Sequence, residues 1–154
     1  MSIESQISQV VTSYIAAMHA WETDAERRGG HGDGVAGDCG LSIIDRVERL
    51  EKMFNTGEAE ALEAGRQRIL SEHCTARERR SRGGWGTTPK HHPELERITK
   101  VQQLPESRAH VWTDYTDSQG FRTRRRYDLL LCDGVWLIDQ HYVLCDGEAY
   151  PEIY

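Results

Sequence analysis

Asp139 and His141, two residues apart near the C-terminus, form the pair best suited to move a proton. On an extended strand, residues i and i+2 share a face, so a carboxylate and an imidazole would stand side by side as acid and base. If Asp139 were buried beside Val135 and Leu137, its pKa would be raised, as a general base requires. Tyr14, on the opening helical stretch, is the third candidate; that stretch also offers His19 and Glu22, without an evident pair. The plainer alternative is that Asp139 makes a structural hydrogen bond and His141 sits near a sheet edge. No Ser-His-Asp or Cys-His constellation is legible. A literal GxGxxG occurs at Gly32, Gly34 and Gly37, but a helical stretch precedes it where a dinucleotide fingerprint needs a strand. None of the four cysteines forms a CxxC pair, and Cys74 with His73, His91 and His92 lacks zinc-site spacing. Neither a metal nor a cofactor is expected.

A second group of residues suits binding. Trp85 lies in a Gly- and Pro-rich loop, and Trp112 shares a strand face with His110 and Asp114. Exposed tryptophans anchor interfaces, although both could equally be core. Tyr150 and Glu152 belong to an acidic-aromatic tail, CDGEAYPEIY, which could plug a basic cleft or simply fray. Arg122, Arg124 and Arg126 alternate to one side of a strand, either guarding an exposed segment or docking an anion.

Charge sorts the partners. The chain carries a net charge of −6, concentrated in residues 22–64, where Glu48 and Glu51 lie; residues 65–100 are net basic. Overall acidity argues against nucleic acid, which needs a basic surface to displace counterions. A concentrated acidic segment suits a basic protein partner, although most charge runs are only solvated helix faces.

The elements that must position these residues fall into two halves. Ile3, Ile7, Val10, Val11, Tyr14, Met18 and Trp21 recur at helical spacing, which predicts a helix from Ser2 to Arg28. Gly29 and Gly30 end it, and residues 29–40 form a glycine-rich loop. A second helix follows Ser42 and buries Ile43, Ile44, Val47, Leu50 and Phe54. A third, capped by Thr56, runs through Leu62 and Ile69 to about Arg80. After the loop at 81–93 the period changes to two. Strands are predicted at Arg97–Leu104, Arg108–Thr116, Phe121–Cys132 and Val135–Val143, joined by tight turns into an antiparallel meander. The tetrapeptide LCDG occurs at 131–134 and 144–147 and reads as two similar turns. Neither sheet face is cleanly polar. Helices should cover one face, and a partner, a second copy of the chain or a loop the other. The result is a single α+β domain over residues 1–154. No apolar run reaches the roughly 20 residues a bilayer span needs, and the N-terminus lacks the pattern of a secretory signal, so a cytoplasmic protein is expected.

The layout of helices followed by a long curved meander resembles the nuclear transport factor 2-like superfamily, a cone with a pocket between sheet and helices. YIAAMHAW (Tyr14–Trp21) resembles its first helix, and YDLLLCDGVWLIDQ (Tyr127–Gln140) its last hairpin. The stretch Arg108–Val143 is similar, more narrowly, to the branch of immunity proteins that protect bacteria from polymorphic toxins, including those of the recombination-hotspot (Rhs) type. The resemblance covers about a quarter of the chain closely. It implies a non-catalytic cytosolic inhibitor of one cognate toxin domain. The superfamily also hosts isomerases, dehydratases and cyclases, which would place a closed apolar pocket around Tyr14, Trp21 and Asp139.

Overall fold

A computed structural model describes residues 1–29, 44, 48, 51, 56–79 and 89–152. Helix α1 spans Ile3–Gly29. Ser2 starts it: its Oγ accepts the Ser5 N–H at 3.1 Å, satisfying a donor that has no partner within the helix. Glu4 in the first turn and Arg27 and Arg28 in the last complement the helix dipole. The buried face runs Ile7, Val11, Tyr14, Met18, Glu22 and Ala25, at steps of three and four. Ile3, expected on that stripe, is 49% exposed.

Helix α2 spans Glu58–His73 and buries Ala59, Leu62, Arg66, Ile69 and Leu70. Gly57, with φ 75°, holds the left-handed position before it, and no side chain caps it, so Thr56 does not act as expected. The helix also stops seven residues short of Arg80. Cys74 turns extended and bridges Ile138, and the Thr75 N–H donates to the Ile138 carbonyl at 2.9 Å. Pairing with the sheet ends a helix that composition alone would continue. The expected second helix lies largely outside the described residues. Ile44, Glu48 and Glu51 are helical, and Ile44 is 69% exposed rather than buried.

Five strands follow: β1 (Arg97–Leu104), β2 (Arg108–Thr116), β3 (Arg122–Cys132), β4 (Val135–Cys145) and β5 (Glu148–Pro151). They form one antiparallel sheet in sequence order. Both LCDG copies are hairpin turns with positive φ at Asp133-Gly134 and Asp146-Gly147, as a two-residue turn requires. The second folds the tail back on β4 as an edge strand, where the sequence suggested a free or plugging tail.

The helices cover one face of this sheet. Ala109, Val111, Tyr127, Leu129, Trp136 and Ile138 join Ile7, Val11, Tyr14, Ile15 and Met18 from α1 and Ile69 and Leu70 from α2 in one core. Burying each large aliphatic side chain there contributes roughly 1.5–3 kcal/mol. No helix among the described residues is long and apolar enough to cross a membrane.

Candidate functional site

A bulge in β4 decides which residues meet in the interior. Leu129 pairs with Ile138 but Asp128 with Gln140, so Asp139 is the extra residue. A bulge resets the alternation of faces. Trp136, Ile138 and His141 therefore point to the helices, and Leu137, Gln140 and Tyr142 point away. The expected Asp139–His141 pair is not formed. Asp139 accepts a hydrogen bond from Thr75 Oγ1 at 2.8 Å and pairs with Arg77 at 3.5 Å, beyond the end of α2. None of the pockets described among these residues is lined by Tyr14, Trp21 and Asp139 together. Trp21 donates to the Leu62 carbonyl at 2.7 Å and lines a groove between the helices.

His141 instead belongs to a buried polar network. Its Nδ1 lies 2.6 Å from Glu152, which β5 places directly across from it. Its Nε2 is 3.3 Å from the Tyr14 hydroxyl. Tyr14 is the donor if His141 is neutral with its proton on Nδ1. Burial favours that form: it pulls the His141 pKa below its ordinary 6.5, although Glu152 works the other way. Glu152 also accepts from Arg125 Nε at 2.8 Å. Burial opposes its ionisation, but His141 and Arg125 outweigh that and hold the carboxyl well below the usual range.

Arg125 extends the network across β3. It donates to Glu96 at 3.1 Å and to the Lys90 carbonyl at 2.9 Å, and its side chain is 2% exposed. Burial disfavours its charge, but Tyr127, Glu152 and Glu96 raise its pKa above the ordinary value. Glu96 accepts from Thr113 at 2.6 Å and Tyr127 at 3.2 Å. Burial, reinforced by Glu96, lifts the Tyr127 hydroxyl well above its ordinary pKa, so it remains a donor.

A second limb starts on α1. Glu22 accepts the backbone N–H groups of Lys90 at 2.6 Å and His91 at 3.1 Å, and its Oε1 is 2.6 Å from His91 Nδ1. Burial raises its pKa, yet these bonds and the imidazole prevail and lower it. Proton donation from Nδ1 to Glu22 fixes the His91 ring with Nε2 turned away. That atom is buried and has no hydrogen-bond partner among the described residues. The ring stands edge-on to Tyr14, centroids 5.5 Å apart, and 6.1 Å from His141.

The opposite face of the sheet is built differently. The pairing aligns Lys100, Trp112, Arg126 and Tyr142 in one row across four strands. Lys100 Nζ sits 4.7 Å from the Trp112 ring centre, and the Arg126 guanidinium 4.7 Å from that of Tyr142. Arg126 also donates to Asp128 at 2.7 and 3.2 Å. Asp114, one row further, is bound by Arg122 at 2.8 and 3.0 Å.

The residues read as partner-binding are therefore scattered. Trp112 and Asp114 share the outward face; Glu48 and Glu51 are exposed; Tyr150 is 52% exposed on the edge strand. Glu152 is in the interior network, so the tail acidic residue is an internal counter-ion and not a free plug. Trp85 lies outside the described residues. Sequence reading missed Glu22, His91, Glu96, Arg125 and Tyr127 as a connected set. One signal was available: Arg125 has the parity of Tyr127 and Leu129, opposite to the other strand arginines. Among the described residues no group of three or more His, Cys, Asp or Glu is placed to hold a metal ion.

Comparison of the chain with protein-family models, with curated proteins and with solved structures gives no match.

Proposed function

We propose that the chain is a cytoplasmic immunity protein of the nuclear transport factor 2-like superfamily that binds and neutralises a cognate bacterial toxin domain. One observation carries this reading: the outward sheet face presents Trp112, Tyr142 and Arg126 in a single row, without a covering helix among the described residues. Those three residue types are the ones most enriched among interface anchors. The helices-then-meander layout supports the family. The interior supports a structural role for its charges, since Glu22, Glu96 and Glu152 each make two or more internal polar contacts. The test is expression of a toxin domain encoded beside this chain, with and without it. Rescue of growth together with a stoichiometric complex is expected; no rescue and no complex would overturn the reading.

A second reading, a small-molecule isomerase, dehydratase or cyclase, has one observation in its favour. Buried His91 Nε2 is unpartnered among the described residues, with Glu22 orienting the ring and Tyr14 beside it. A carboxylate-oriented imidazole with a free nitrogen is the arrangement of a general base. A ligand that shifts the His91 ring resonances in NMR titration, with the shift lost in Glu22→Gln, would favour this reading over the first.

A further inference from the structure

We propose that the outward sheet face docks an acidic protein surface. This rests on the binding reading above and assigns the charge of the partner. The chain as a whole is acidic, at −6, yet the outward positions of β1–β3 carry six basic residues against two carboxylates. Asp114 is bound by Arg122 and is also influenced by Arg124, and Asp128 is bound by Arg126, so two carboxylates face six cations. Arg97 and Arg124 pair with Asp114 in register from the two neighbouring strands, so they stand roughly 10 Å apart, two strand spacings. Both are exposed, and neither makes an ion pair among the described residues. Lys100, also exposed, continues the positive edge beside Trp112. A surface that is locally opposite in sign to the whole chain selects and steers a partner of complementary sign.

Two other occupants fit less well. A single-stranded nucleic acid would bind by stacking bases on open aromatic faces. Here Trp112 and Tyr142 each already hold a cation 4.7 Å from the ring centre. A second copy related by a two-fold axis would oppose the same patch to itself. That would set the basic face against an identical basic face. A protein presenting carboxylates meets neither obstacle: it pairs with Arg97 and Arg124 and packs against the half-buried Trp112 and Tyr142 rings.

The experiment measures anisotropy of a fluorescein-labelled poly-glutamate peptide titrated with the intact protein at low salt. An oligothymidylate of equal length serves as competitor, and sedimentation velocity is run alongside. Poly-glutamate should bind, and R97E/R124E should weaken binding at least about tenfold, because two exposed cations become repulsive. The double variant should keep the wild-type circular dichroism and urea midpoint, since both side chains are exposed; R97Q/R124Q should show a smaller loss. No binding, equal binding by R97E/R124E, tighter binding of oligothymidylate, or a dimer that R97E/R124E abolishes would each overturn the proposal. The toxin-rescue assay separates this from the functional reading. Rescue by both wild type and R97E/R124E removes the surface assignment and leaves immunity standing. Poly-glutamate binding that depends on Arg97 and Arg124, without rescue by either protein, does the reverse.

Discussion

The two faces of this sheet use the same residue types to opposite ends. On the inner face, Arg125 is held by Glu96, Glu152 and a backbone carbonyl, with a side-chain exposure of 2%. On the outer face, Arg126, its immediate neighbour in sequence, is half-buried between Asp128 and Tyr142. One peptide unit separates a guanidinium locked in a low-dielectric interior from one at the water's edge. Charges on the inner side are costly to desolvate and so must all be matched. On the outer side, water screens each pair, which leaves the side chains energetically available to a partner.

The largest expected effect comes from breaking the inner match. Arg125→Leu strands Glu96 and Glu152 without their shared cation, and removing one partner of a buried pair costs about 3–5 kcal/mol. Urea denaturation should show that loss, or the protein should fail to fold. Arg126→Leu should cost well under half as much. Equal losses would erase the distinction between the faces.

Acid should act on the inner face next. His141 has a folded-state pKa below its ordinary 6.5, so the unfolded chain binds more protons as pH falls below that value. Stability from this group is whole above 6.5 and is lost as pH falls towards the folded pKa. Glu22 and Glu152, lowered from 4.5, add a second loss in the same direction below that pH. Urea midpoints should therefore decline from near-neutral pH downward and fall more steeply below 4.5. In a His141→Gln variant the first decline should shrink, and the second should persist in reduced form, carried by Glu22 and by what Arg125 still does to Glu152. A midpoint that rises on acidification to pH 5 would contradict this account of the network.

The outer face should answer in binding and not in folding. Trp112→Ala should weaken the toxin complex by about 2 kcal/mol or more, the scale of an interface anchor. It should leave the thermal midpoint within a few degrees, because the ring is only half-buried. Isothermal titration with the cognate domain and a melting curve read the two quantities separately. A large stability loss with unchanged affinity would place Trp112 in the architecture and not in recognition.

The contrast between faces was partly legible in the sequence. Period two over residues 97–143 gave four strands within a residue or two of their observed ends, and the parity of Trp112 and Asp114 placed them on one face correctly. Strict alternation then failed at two residues, Thr99 in β1 and Asp139 in β4, and the second moved a candidate site residue. The bulge at Asp139 depends on how β4 meets both β3 and the segment after α2, a tertiary fit that no local pattern encodes. It turned His141 from the expected partner of Asp139 into a partner of Glu152 and Tyr14. The tail was misread for a related reason: four exposed residues carry no periodic signal, and β5 exists because the Asp146-Gly147 turn delivers it to β4. His91 and Glu96 were passed over because loop-flanking polar residues resemble solvated ones until burial is known.

The smallest predicted effect sharpens the comparison most directly. Lys100→Met removes the ammonium 4.7 Å from Trp112 but keeps most of the aliphatic stem that packs on the ring. An exposed cation–π contact contributes about 0.5–1 kcal/mol, so the urea midpoint should drop only slightly. The inner network offers no such mild substitution. Even Tyr14→Phe, which deletes one oxygen, takes a hydrogen-bond partner from His141 Nε2 in a fully buried setting, and losing one side of a buried hydrogen bond costs about 1–3 kcal/mol. If Lys100→Met proved as damaging as Tyr14→Phe, the Lys100–Trp112 pair would be part of what holds the sheet together. A face that the fold itself requires in that way is a poorer candidate for a surface kept free to bind.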